Sequence, residues 1–332
     1  MSTSRDAPMP RLPRSADPGG AVVDPPDLTA ELRRLLDELR ARLQGVVRAR
    51  EPLAAHTTWG IGGPVDLFAI AESEADVLAL LEFARRRRQP LRWIGNGSNL
   101  LVLDGGVRGV VARLGRGFEA HGFDGARLRA GAAAWLPALA QRAARRGLSG
   151  LEFGVAVPAT LGGALVMNAG AYEQSIGAVL EEARGLDPDG APRIWRAAEL
   201  ELGYRRSRLR GAGAVVLELR LLLEERSAAQ VRARTAEVAR HKGSTQPLAG
   251  RSAGSVYLRP PGDYPGRIIE ALGFKGRRCG GAEVSPRHAN FILNRGGARA
   301  SDVLSLMEQI EAAAWRELGI RLEREVEVIG EP

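Results

Sequence analysis

Between Leu151 and Tyr172 only one charged side chain, Glu152, interrupts a run of small and apolar residues, Leu-Glu-Phe-Gly-Val-Ala-Val-Pro-Ala-Thr-Leu-Gly-Gly-Ala-Leu-Val-Met-Asn-Ala-Gly-Ala-Tyr. This stretch constrains the fold more than any other in the sequence, because residues without bulk let the backbone come close to a neighbour that larger side chains would hold away. The neighbour is either a tightly packed helix or strand or a flat ligand. Pro158-Ala159-Thr160-Leu161-Gly162-Gly163 and Asn168-Ala169-Gly170-Ala171-Tyr172 are the two parts where such an approach is closest.

A second small-residue segment lies upstream, at Gly95-Asn96-Gly97-Ser98-Asn99-Leu100. Consecutive N–H groups unobstructed by bulky side chains form a nest that cradles a phosphate, and a tight structural turn would use the same residues. It is not a Rossmann fingerprint, since Leu100 stands at the third glycine position and the apolar residues that follow read as a strand rather than a helix. Two such segments in one predicted unit point towards an extended, phosphate-bearing cofactor such as a dinucleotide.

A chain of 332 residues exceeds what one core supports and calls for two or three packed units. Residues 1–26, rich in Pro, Gly, Ser and charge, read as a disordered tail that is dispensable for turnover. Leu28, Leu32, Leu35, Leu36, Leu39, Leu43 and Val46 recur at helical spacing, and Ser73 with Asp76 marks the start of a second helix. Leu91 to Ile94 and Val107 to Leu114 read as strands, Trp135 to Arg146 as a helix and Val215 to Leu223 as a strand. A charged helix from Ser227 to His241, a long helix through Val303 and Leu318, and a closing strand over Ile320 to Ile329 complete the pattern. The expected division is a cofactor domain of two subdomains over 27–225, a connector helix over 226–243 and a further domain over 244–332.

Several classes of function are disfavoured. The net charge of +8 invites a nucleic-acid reading, but arginines are spread throughout and only Lys242 and Lys275 among the 47 basic residues are lysines. One cysteine, Cys279, cannot make an internal disulfide, and no apolar run reaches the roughly 20 residues that span a bilayer. The four histidines form no short metal-ligand motif, and no G-x-S-x-G elbow occurs. A soluble cytoplasmic protein without a bound metal is expected.

Three polar features remain. Tyr204-Arg205-Arg206-Ser207 offers fixed positive charge suited to a carboxylate, although nothing local separates Arg205 from Arg206. Ser255, in Ala253-Gly254-Ser255-Val256-Tyr257, reads on its own as a turn serine more readily than as a catalytic one. The alternation of Ile320, Leu322, Val326 and Val328 sets Glu323, Glu325 and Glu327 on the opposite face of the last strand.

Taken in order, these segments resemble the UDP-N-acetylenolpyruvoylglucosamine reductases. The blocks are His56-Thr-Thr-Trp-Gly-Ile-Gly-Gly63, Gly95 to Leu101, Gly150-Leu-Glu-Phe153, Pro158 to Tyr172, Tyr204 to Ser207, Gly254-Ser-Val-Tyr257, Gly276 to Asn294 and Leu322 to Gly330, covering nearly all the chain after the tail. The resemblance implies an α+β fold: two subdomains of the vanillyl-alcohol-oxidase-like (PCMH) type clasp FAD, and a C-terminal α+β domain covers the substrate.

It further implies non-covalent FAD held by Gly95, Asn96, Gly97, Ser98, Asn99, Leu100, Pro158, Thr160, Gly162, Gly163, Asn168 and Gly170. Arg205, Ser255 and Glu325 become the catalytic residues, and Tyr204, Arg259, Lys275, His288 and Asn290 substrate contacts. NADPH is the implied hydride donor, leaving before the enolpyruvyl sugar nucleotide enters; a monomer acting on small molecules, apart from membranes and nucleic acids, is expected. The sequence departs from the commoner family pattern at Gly60, Ala156, Ala159 and Leu258-Arg259. The alternatives weighed against this reading are another FAD-linked oxidoreductase of the same fold and a basic nucleic-acid-binding protein.

Overall fold

In the computed structural model, which describes residues 24–332, the first helix runs over Ala30–Arg40. Thr29 caps it by accepting from the Leu32 N–H, and Leu32, Leu36 and Leu39 face inward. The sequence pattern carries this helix to Val46, six residues too far. Leu43 and Val47 enter the same core from non-helical chain, which prolongs the apolar spacing beyond the helix itself. The Arg40 guanidinium folds back onto the Val47 carbonyl at 3.2 Å and pairs with Asp24. Met1 to Val23, most of the predicted tail, lies outside the described residues.

The first sheet orders its strands Val47–Pro52, Pro64–Ala71, Val107–Leu114 and Leu91–Trp93, with the first pair antiparallel and the others parallel. Pro64–Ala71 escapes the period-two pattern because nearly all its residues are buried, on both faces. The helix Glu74–Arg87 packs beside it. Ser73 accepts from the Asp76 N–H, whereas the Asp76 carboxylate receives the N–H groups of Glu72 and Gln44 rather than that of Ser73.

A second, antiparallel sheet of five strands is ordered Pro192–Arg196, Leu180–Leu186, Val215–Leu222, Arg127–Gly131 and His121–Asp124. Its core also takes in the helices Leu136–Arg145 and Leu161–Val166 and residues Val238 and Ala239 of the helix Ala228–Thr245. The third core belongs to a small sheet of Arg278–Cys279, Ala282–Val284 and Ile292–Asn294 and the helix Ala300–Leu318. No helix among the described residues is long and apolar enough to cross a membrane.

Two connections, among others, tie the third core to the first sheet. Trp59, fully buried, donates its indole N–H to the Ile292 carbonyl at 2.8 Å, and Thr58 donates to the Ser252 carbonyl at 2.6 Å. The other connection is the end of the chain. Regular strand covers only Glu327–Ile329, not the predicted Ile320 to Ile329, because the preceding residues bond instead to the Ser255 segment: Leu258 N–H to Glu323 O and Glu325 N–H to Val256 O, both 2.8 Å. Glu327–Ile329 then pairs in parallel with Leu100–Val102, directly after the glycine-rich loop.

Candidate active site

All three units border one cleft of about 330 Å³. Its floor is the loop 95–99 against the start of the helix Leu161–Val166, where Gly95 and Gly163 let the backbones touch; a Cβ on Gly95 would lie 2.7 Å from the Thr160 hydroxyl. Gly97 has φ +62°, and a Cβ there would fall 2.1 Å from the His56 carbonyl oxygen. Among the described residues the N–H groups of Gly97, Ser98 and Asn99 donate to no protein acceptor. Unpartnered donors on a small-residue floor are what a pyrophosphate requires, so these residues fit a dinucleotide.

The cleft wall includes Gly95 to Leu100, Pro158, Thr160, Gly162, Gly163 and Gly170 among the predicted cofactor contacts, together with Ala156 and Ala159. Asn168 stands behind it. Its amide donates to the Gly203 carbonyl at 2.8 Å and accepts from the Gly177 N–H at 2.9 Å.

That bond anchors the turn that aims Arg205. Gly203 and Arg206 exchange backbone hydrogen bonds, leaving Tyr204 and Arg205 at the corner, and Ser207 donates to the Val166 carbonyl at 2.6 Å. Arg205 has φ +53°, a conformation that disfavours residues with a Cβ by roughly 1–2 kcal/mol and that the anchors hold in place. Its guanidinium enters the cleft, whereas Arg206 is exposed, which resolves the ambiguity between the two.

Arg205 Nε donates to Glu325 Oε1 at 2.6 Å. Burial pushes the Glu325 carboxyl above its usual range, against the opposing pull of Arg205 and Lys242. The backbone of Glu325 is held from both sides, its N–H by Val256 and its carbonyl by the Asn99 amide at 3.0 Å. Ser255, one residue before Val256, also lines the cleft. The three residues proposed for catalysis thus come from three distant segments and meet at one wall.

The predicted substrate contacts are more scattered. Tyr204 is exposed beside Arg205, and Arg259 stacks on the exposed Tyr264 ring at 4.0 Å. Lys275 pairs with Glu270 at 2.6 Å, and His288, half-buried, packs edge-on against Phe291 with burial pushing its pKa down. Asn290 is buried, and both ends of its amide bind the Tyr257 backbone, at 2.9 and 3.0 Å. It positions the Ser255 segment. Asn290→Leu therefore leaves two buried backbone groups unpaired and should lower unfolding free energy by about 1–3 kcal/mol per group, read from the shift in urea midpoint. An unchanged midpoint would show that those bonds do not hold the segment.

Lys242, on the last turn of the helix Ala228–Thr245, lines the cleft near Arg205 and Glu325. Sequence reasoning passes it over as one polar residue of a connector. The available signal was its being one of two lysines in a chain that otherwise uses arginine.

A profile of the FAD binding domain matches residues 65–193, and with the orphan donors of the loop 95–99 it defines the class: a flavoprotein that binds FAD. A second profile, the UDP-N-acetylenolpyruvoylglucosamine reductase C-terminal domain, matches residues 246–329. The UDP-N-acetylenolpyruvoylglucosamine reductase of Moorella thermoacetica is 47% identical over 306 residues, spanning 92% of this chain and 99% of the relative. That of Heliobacterium modesticaldum is 43% identical over 297 residues, 89% of this chain and 95% of the relative. The crystal structure of the Thermus caldophilus reductase superposes with a TM-score of 0.76 at 40% identity, covering 87% of this chain and all of that one. The chain belongs to the UDP-N-acetylenolpyruvoylglucosamine reductase family.

Proposed function

We propose that the protein reduces the enolpyruvyl double bond of UDP-N-acetylenolpyruvoylglucosamine with electrons from NADPH, giving UDP-N-acetylmuramate for bacterial cell-wall precursor synthesis. The observation that carries this reading is the meeting of Arg205, Ser255 and Glu325 on the wall of a cleft floored by the FAD-binding domain. In this reading residues 27–225 clasp the cofactor, 226–243 connect, and 244–332 cover the substrate. The protein works as a cytoplasmic monomer on small molecules, apart from membrane and nucleic acid.

FAD, when bound, supplies hydride transfer from NADPH to the terminal CH₂ of the enol ether. The protein's part is electrostatic and protonic. Negative charge develops on the neighbouring carbon and its carboxylate, and Arg205 meets that carboxylate as a fixed cation. Glu325, whose burial favours the protonated form, donates a hydrogen bond to the developing charge. Ser255 delivers its hydroxyl proton to the carbon. Tyr204, Arg259, Lys275 and His288 flank the route by which the sugar nucleotide enters, and Asn290 acts through the Ser255 segment.

Purified protein should be yellow, and acid precipitation should release the flavin into the supernatant, since no cofactor-attaching His or Cys motif adjoins the loop. Under anaerobic conditions NADPH should bleach the flavin absorbance and the enolpyruvyl sugar nucleotide should restore it. Colour remaining in the precipitate would contradict non-covalent binding. Absorbance that NADPH bleaches and the substrate leaves bleached would contradict the proposed reaction.

A further inference from the structure

We propose that Lys242 is the second cation of the carboxylate site, holding the enolpyruvyl carboxylate together with Arg205, and that its being lysine rather than arginine makes this grip dependent on pH. The inference rests on the function proposed above and concerns which side chain besides Arg205 holds the substrate carboxylate.

The charges around the cleft lead to this assignment. Arg205 already gives its Nε–H to Glu325 at 2.6 Å, so part of its donor set is taken up before a carboxylate arrives. Lys242 brings a second positive charge into the same cleft, beside Arg205 and Glu325. Its ammonium makes no ion pair or hydrogen bond among the described residues, whereas the other lysine, Lys275, is paired with Glu270. A cation set inside a cleft without a partner is costly to keep charged unless an anion completes it.

The groups that face Lys242 or its partner are Arg205 from the 203–206 turn, Glu325 from the C-terminal segment, Arg210 acting on Glu325, and His288 with Lys275 beyond it. Burial first, and Arg205 second, push the Lys242 ammonium down to about 8. An arginine in the same place would stay charged throughout the working range. Lys242 is therefore protonated and competent below about pH 8, and its contribution is lost as pH rises through that value.

The test uses flavin-loaded protein and measures equilibrium binding by calorimetry from about pH 6.5 to 9.5, the range that brackets such a titration. The ligands are the enolpyruvyl substrate and its parent UDP-N-acetylglucosamine, which carries the same diphosphate and no carboxylate. Lys242→Met should weaken the substrate about ten- to a hundred-fold near neutral pH and leave the parent nucleotide within about two-fold, as expected for a lost charge-assisted hydrogen bond. Lys242→Arg should retain wild-type affinity at neutral pH and lose the alkaline decline. Equal weakening of both ligands in Lys242→Met would assign the residue to the diphosphate and overturn the proposal, as would an alkaline decline in Lys242→Arg identical to that of wild type. Wild-type protein that binds the parent nucleotide but not the substrate would overturn the function itself.

Discussion

Ser255→Ala should slow the substrate half-reaction by about 10²- to 10⁴-fold or more, the range a general acid contributes, while leaving reduction by NADPH within about two-fold of wild type. The asymmetry follows from where protons are needed: only the enolpyruvyl carbon must receive one from the protein. Rapid-mixing absorbance of the flavin, with the two half-reactions run separately, reads both rates. Glu325→Gln, which keeps a hydrogen-bond donor, should be milder than Glu325→Ala if the residue acts by stabilising developing charge. Equal slowing of both half-reactions in Ser255→Ala would reduce the serine to a structural residue, with the family assignment unaffected.

Gly97→Ala should yield protein that folds but purifies with little flavin, its affinity for added FAD lowered at least about ten-fold. Two penalties coincide. The φ of +62° suits glycine and disfavours alanine by roughly 1–2 kcal/mol, and the new methyl would sit 2.1 Å from the His56 carbonyl oxygen. That carbonyl belongs to backbone wedged beside Trp59 and the third core, so the loop must yield and its N–H groups lose their common aim. Flavin fluorescence titration of the apoprotein measures the affinity. Wild-type flavin content in the purified variant would show that the loop's geometry is not what holds the cofactor.

Much of the cofactor side of this architecture is legible in the sequence because it depends on local composition. Gly95 to Leu100 and Pro158 to Gly170 are defined by what they lack, and loss of side-chain bulk is visible one residue at a time. Strand Val107–Leu114 and helix Glu74–Arg87 follow from apolar pattern and a cap in the same way. Pro64–Ala71, buried on both faces, has no alternation to detect. Arg205 could not be told from Arg206 because the distinction is made by the bonds that tie this corner to a distant segment, Asn168 to Gly203 and Ser207 to Val166. The family resemblance makes Asn290 a substrate contact, yet its amide is taken up by the Tyr257 backbone, a contact between residues 33 apart. Lys242 stands out in the sequence only as one of two lysines, because its meaning depends on Glu325 and Arg205, which only the folded chain brings near.

The parallel pairing of Glu327–Ile329 with Leu100–Val102 sets a timetable for the molecule's birth on the ribosome. Asn99 finds the Glu325 carbonyl across 226 residues of chain, so the flavin domain can collapse during synthesis while its glycine loop still lacks its last neighbour. Only after Ile329 has left the exit tunnel can this strand dock and bring the Glu325 carboxylate to Arg205. A nascent chain cut before Glu325 therefore lacks the carboxylate that Arg205 pairs with, however well its earlier parts have folded. Any segment that follows Ile329 must leave that strand free to reach Leu100–Val102.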